Sequence, residues 1–214
     1  MKIKWPLSFF GGITAILIYL ILTLVAFLQY PGTYGPLTNW LSDLGNPQTS
    51  PSGALFYNLG CILTSLVLLL FFVGLRDWNT GDKKMKILLM TSQIIGMFSA
   101  VFLILAAIFP LGPHTSTHSF WSGMLSVAIG FFLTFSATAL LKHPAFRRWI
   151  AYYAFLAALA NFIYGMSGAT GHKFFVGEWI AIGMFIIYVF LLAYNFVALV
   201  RERTTACADK GIIL

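Results

Sequence analysis

Thr38-Asn39-Trp40-Leu41-Ser42-Asp43-Leu44-Gly45-Asn46-Pro47 stands between two long apolar runs, Leu7 to Gln29 and Ala54 to Leu75. That setting decides how the chain is read. Wound as a helix, Leu37, Trp40, Leu41 and Leu44 recur at i, i+3, i+4 and i+7 and form an apolar stripe. Asn39, Ser42, Asp43 and Asn46 recur at the same spacing, about 200° further round. Gly45 suits the left-handed residue that ends a helix, and Pro47 blocks continuation. A short two-faced helix flanked by bilayer-length apolar runs is expected to lie along a membrane surface, its polar face toward water or a pocket. The stretch carries one acid and no base, so attraction to anionic lipid is not what holds it there.

Outward from this stretch the chain is apolar throughout. Of its 214 residues 59% are hydrophobic and 9% charged, against about 25% charged in a soluble domain. Six runs, at 7–29, 54–75, 87–109, 117–141, 149–168 and 177–200, each have the roughly twenty residues that a bilayer core requires. The first is longer than a signal-peptide core and lacks a clear small-x-small cleavage site, so it reads as a retained helix. The expectation is an all-α, polytopic six-helix membrane bundle, one integral membrane domain over residues 1–214, with a short amphipathic surface helix between helices one and two.

The net charge of +7 would suggest nucleic acid in a soluble protein. Here the bases sit at helix ends. Lys2, Lys4, Arg76, Lys83, Lys84, Lys86, Lys142, Arg147, Arg148, Arg201, Arg203 and Lys210 fall on one side of the six spans, and Lys173 alone on the other. The positive-inside bias therefore puts both termini in the cytoplasm of a multi-pass cell-membrane protein and the 39–46 stretch outside. Membrane lipids are the expected partners and nucleic acid is not. Trp5, Trp78, Trp149 and Trp179 sit near the expected interfaces, as an aromatic belt requires. Cys61 within a span and Cys207 in the tail make no disulfide framework.

Polar residues collect on the outer side. Asp43, His114, His118, His172 and Glu178 all fall at or beyond that boundary, and ionisable groups near hydrocarbon tend to face a bundle interior. His118, Ser122 and Ser126 repeat at i, i+4 and i+8 on helix four. Asn161, Tyr164, Gly165 and Gly168 share a face near the outer end of helix five, and Tyr57 and Asn58 open helix two. If these faces converge, Asn39, Ser42, Asp43, Asn58, His118, Ser122, Asn161 and Glu178 line an outward-opening polar pocket roofed by the surface helix. Blander roles compete. Glu178 in a first turn gains roughly 0.3–1 kcal/mol from the helix dipole, helix serines commonly bond a carbonyl four back, and Gln93 and Asn195 suit hydrogen bonds between helices. His114 and His118 are spaced to put two imidazoles on one face for zinc or another divalent metal, provided the helix begins at Pro113. Asp43 and His172 would complete such a site. No phosphate loop, G-x-S-x-G elbow or H-E-x-x-H is present, and no charge lies deep in a span.

The Ser42-Asp43-Leu44-Gly45-Asn46 run, the Phe56-Tyr57-Asn58-Leu59-Gly60 opening of helix two, Phe109-Pro110 and His118 carry a resemblance. The chain resembles the prokaryotic six-helix membrane family catalogued as domain of unknown function nine-nine-eight, over most of its length. More distantly it is similar to the DRAM/Sfk-type membrane proteins, through Ser42-Asp43-x-Gly45 and a histidine opening a later helix. The resemblance implies a six-helix bundle with family-type positions at Ser42, Asp43, Gly45, Asn58, Pro110 and His118. It supplies no reaction, and His114 and His172 are not carried over. Three functions compete on this reading. The first is binding or remodelling of a lipid head group or small polar solute. The second is a metal-dependent membrane hydrolase of a lipid amide or ester, which resembles the alkaline-ceramidase-type enzymes in its inventory of Asp, Ser and His only. The third is a small-solute transporter, weakened by spans whose interiors lack proline.

Overall fold

Six helices form where the six apolar runs lie. The computed structural model describes residues 6–78, 82–169 and 173–209. Within them run α1 (Leu7–Leu28), α2 (Ala54–Gly74), α3 (Lys83–Ile108), α4 (Thr115–Leu140), α5 (Arg148–Ala169) and α6 (Phe175–Asp209). All six are long and apolar enough to cross a membrane. The described residues contain no strand. In α6 the apolar part is Phe175–Val197, and the helix continues to Asp209 through the polar stretch that the sequence suggests is a tail.

Capping explains one observed end that differs from the expected one, the start of α3. α3 starts four residues early because Asp82 caps it, its carboxylate accepting the Met85 amide at 2.9 Å. α4 starts at Thr115, between the two alternatives, with His114 at the capping position and making no side-chain cap bond. Before it, Gly112 takes φ +88°, a left-handed geometry that an L side chain resists. That turn is closed by the His114 amide on the Pro110 carbonyl at 3.2 Å.

Each helix packs along its sequence neighbours, and α6 returns against α1. The helices thus close into a ring of antiparallel neighbours in chain order. Glycine allows the tightest seam. At Gly11 an added Cβ would strike the Phe71 backbone, and at Gly74 the Ser8 backbone, so α1 and α2 touch main chain to main chain. Phe71, Phe72 and Phe132 fill the middle of the ring, with Phe72 and Phe132 edge to face at 5.0 Å. Beside them the Tyr188 hydroxyl pairs with Ser136 Oγ at 2.9 Å.

The end carrying Arg76, Lys83, Lys84, Lys86, Lys142, Arg147 and Arg148 is here termed the basic end. Gln93 Nε2 donates to the Phe72 carbonyl at 2.8 Å and the Val73 carbonyl at 3.2 Å. Asn195 accepts the Arg147 amide and donates to the Ala145 carbonyl, both at 3.0 Å. Trp78 departs from the expected interfacial belt. It is fully buried and packs on His143, Phe146 and Phe196. Trp149 is half exposed, and Trp5 lies outside the described residues. Cys61 is a buried free thiol.

The opposite end is closed by the 30–53 connection, and here the expectation needs correcting. The amphipathic surface helix is a five-residue 3-10 turn, Leu41–Gly45, and it sits down in the mouth of the ring. Leu37 is exposed and belongs to no stripe, while Ser42 and Asn46, on the face expected to meet water or a pocket, are buried with Leu41 and Leu44. A segment this short exhausts few backbone bonds within itself, so its geometry follows the partners that the bundle offers.

Candidate functional site

The cap is held by polar groups reaching from distant helices. The Tyr34 hydroxyl lies 3.0 Å from the carbonyl oxygens of both Trp40 and Leu41. Asp43 caps its own turn: its carboxylate accepts the Trp40 amide at 2.9 Å, while its amide donates to the Trp40 carbonyl at 3.1 Å. Half-burial pushes the Asp43 carboxyl above its ordinary pKa, and the bonds from Trp40 and Asn39 oppose that rise. Asn39 is equally local. Its Oδ1 accepts Thr38 Oγ1 at 2.8 Å and the Gly35 amide at 3.3 Å.

Two anchors come from α6. Glu178, in the first turn of that helix and buried, accepts the Leu41 amide at 2.7 Å. The Ser42 hydroxyl and amide stand as further donors to the same carboxylate. Beside it Trp179 Nε1 donates to the Asn39 carbonyl at 3.0 Å. A third anchor comes from α2, where Asn58 Nδ2 donates to the Gly45 carbonyl at 2.8 Å. Gly45 is not left-handed, since positive φ among the described glycines occurs at Gly32 and Gly112. Its missing side chain serves close approach instead, because a Cβ there would meet Asn58 Oδ1 and the Tyr57 ring.

Under the cap lies a chamber with about 40 Å³ of internal space, enough for a few waters. Six of the eight residues expected to line a pocket do line it: Ser42, Asn58, His118, Ser122, Asn161 and Glu178. Tyr57, Cys61, Ser126 and Tyr164 line it too, together with apolar residues such as Leu103, Leu125 and Ile182. Asn39 and Asp43 do not reach it, being engaged within the cap. Asn161 Nδ2 donates to the Ala157 carbonyl at 2.9 Å and the Ala181 carbonyl at 3.2 Å, so its two amide hydrogens tie α5 to α6.

His118 is held from one side. Its Nδ1 lies 2.9 Å from the Ala106 carbonyl and 3.1 Å from the Phe109 carbonyl, at the end of α3. Carbonyls only accept, so the hydrogen-bond pattern assigns the ring proton to Nδ1. Nε2 of the neutral ring then offers a lone pair, and this buried atom has no partner in the protein.

Two further spaces share walls with the chamber. Through Ser42, His118, Ser122 and Tyr164 it borders a mouth of about 330 Å³, which also touches Trp40, Thr115, Ser119 and Lys173. Through Tyr57, Leu103, Leu125, Ile129 and Ile182 it borders a deeper space of about 60 Å³ between the helices, walled almost wholly by apolar residues such as Leu68, Phe185 and Val189. Mouth, chamber and interior thus share walls in that order, and the exposed lining of all three is mostly apolar, with polar side chains most numerous around the chamber and the mouth.

Of the four residues singled out for a metal, the three that are described, Asp43, His114 and His118, are not gathered as ligands. Asp43 caps its turn, and His114 is exposed with its ring against Phe109 at 5.6 Å. His118 is buried below them, and His172 lies outside the described residues. Among the described residues no three His, Cys, Asp or Glu side chains gather as ligands. Sequence reasoning missed Tyr34 and Trp179 as anchors of the cap, and Lys173 as part of the mouth. Trp179 follows Glu178 directly and shares its first turn, which is the signal that was open to reading. The belt reading competes with it because indole at a helix end is so often interfacial.

No match was found to a curated protein or to a solved structure. The model of a family described as protein of unknown function (DUF998) matches residues 13–197. That span runs from early α1 to the end of the apolar part of α6 and takes in the cap, the chamber and the mouth, so the chain is a multi-pass membrane protein belonging to the DUF998 family.

Proposed function

We propose that this protein sits in the cell membrane with both termini cytoplasmic and binds the polar head of an amphiphile, a membrane lipid or a lipid-like solute, at its outward end. Twelve of the thirteen Lys and Arg residues on the side of the termini support that orientation. The observation that carries the binding reading is the buried, unpartnered Nε2 of His118, a residue that lines both the chamber and the mouth, with an apolar interior on the chamber's far side. A buried acceptor without a donor costs about 1–3 kcal/mol, which a hydroxyl or amine of a bound head group, or a water in its absence, relieves. Lys173 at the mouth suits a phosphate or carboxylate on the same molecule. With about 40 Å³ the chamber accepts a small group rather than a whole head, so the bulk of the ligand occupies the mouth.

His118→Asn tests this reading. Asparagine keeps an N–H in reach of the Ala106 and Phe109 carbonyls and deletes the unpartnered ring nitrogen. Native mass spectrometry of the gently purified protein is expected to find lipid retained by the wild type and roughly ten-fold less by the variant, as one lost hydrogen bond implies. Melting temperatures should stay close. Equal retention by the two proteins would sink the proposal, and the same spectra report any stoichiometric metal, which the hydrolase reading requires.

A further inference from the structure

At the basic end a second, separate space opens between the end of α2 and the start of α3. It measures about 300 Å³. Arg76, in the 3-10 turn Leu75–Trp78 that follows α2, and Lys86, in the first turns of α3, stand together at its top, both exposed. Below Lys86 the wall is Met90, Ile94 and Met97, successive residues on one face of α3, with Met90 and Ile94 about half exposed. Gln93 closes the back, where its amide is already bonded to the α2 carbonyls. Among the described residues no carboxylate lines the space. The nearby Asp82 uses its carboxylate on the Met85 amide.

The dimensions and charges select an occupant. From Lys86 to Met97 the helix rises about 16 Å, roughly half of a hydrocarbon core about 30 Å thick, which is the depth of one leaflet. The floor is apolar and faces outward from a membrane-spanning helix, so it lies open to acyl chains and not to water. Two cations above such a groove, with no acid among the described residues that line it, complement a head group of net negative charge. A zwitterionic head would bring its own ammonium against Arg76 and Lys86.

We propose that the groove between α2 and α3 at the basic end binds an anionic phospholipid, with its phosphate on Arg76 and Lys86 and one acyl chain along Met90, Ile94 and Met97. The site is distinct from the capped chamber at the other end of the ring and stands or falls independently of it. Its leaflet is the one on the side of the basic end.

The test uses the full chain purified in mild detergent and titrated with phosphatidylglycerol or phosphatidylcholine under native mass spectrometry. The wild type is expected to prefer phosphatidylglycerol on the order of ten-fold, since the choline ammonium of phosphatidylcholine offsets the head-group charge that Arg76 and Lys86 attract. Arg76→Gln/Lys86→Gln should bring the preference near unity. Lys83→Gln/Lys84→Gln removes equal charge from the same end of α3 outside the groove and should leave the preference intact. Ile94→Trp, which fills the groove without changing charge, should weaken phosphatidylglycerol binding several-fold. Millimolar inorganic phosphate should not displace the lipid, because the acyl contact is absent from it. A preference that survives Arg76→Gln/Lys86→Gln, or falls equally in Lys83→Gln/Lys84→Gln, overturns the proposal in favour of diffuse surface charge. Displacement by phosphate alone would reassign the two cations to a free-anion site.

Discussion

Gly45 shows how one absent side chain shapes the capped end. Its carbonyl accepts from Asn58, and the hydrogen on its Cα is all that fits against the Asn58 oxygen and the Tyr57 ring. Gly45→Ala should cost about 1–3 kcal/mol by overpacking, more than Asn58→Ala, which loses one hydrogen bond worth about 0.5–1.5 kcal/mol. The two should not add. Removing the Asn58 side chain frees the space that the new methyl needs, so the double variant should be more stable than the sum of the two singles implies. Denaturation in detergent checks this, and strict additivity would place the conflict elsewhere. Asp43 and Asn39 carry a different lesson. They are polar and share a helical spacing with Ser42, yet their partners lie close by in the same connection: the Trp40 amide for Asp43, the Gly35 amide and Thr38 hydroxyl for Asn39. Spacing sorts residues by face only where a regular helix exists, and in a five-residue 3-10 turn it does not.

At the scale of elements, the α1–α2 seam is set by backbones and not by interdigitating side chains. Gly11→Leu must push the two helices apart, because the nearest atoms to its new Cβ are the main-chain atoms of Phe71, which have no rotamer to adopt. A loss of about 3 kcal/mol or more is expected, at the upper end of overpacking costs. Gly183→Ala on α6 is the control. Nothing lies within 4 Å of its Cβ position, and alanine there gains up to about 1 kcal/mol in helix propensity. Melting temperatures of the two variants should therefore move in opposite directions, and a shared drop would mean that glycine on α6 has a packing role of its own. The spans themselves were legible from length and hydropathy. Their ends were legible less well, since Asp82 extended α3 through a capping bond that apolar windows do not register.

For the whole molecule the testable quantity is orientation. On a Cys207→Ser background, Thr38→Cys beside the cap should react with a membrane-impermeant maleimide in intact cells. Lys84→Cys at the basic end should react after permeabilisation. The reverse pattern would turn the bundle over and move the His118 chamber to the cytoplasmic side. Cys61 is buried and should stay silent in both variants.

By itself the sequence determined six membrane-length helices, the breaks between them, the charge bias across them and an all-α fold, because each is written in residues that lie close together in the chain. Only the tertiary structure decided that the helices close into a ring in chain order, and that the 39–46 stretch plugs the ring and does not float on it. The bonds that make the plug join Leu41 to Glu178 across 137 positions and Asn39 to Trp179 across 140. No local pattern encodes a partner that far away. The convergence of Ser42, Asn58, His118 and Asn161 on one chamber follows from that closure, since a polar face on a membrane helix turns inward only when neighbouring helices supply something other than lipid for it to face.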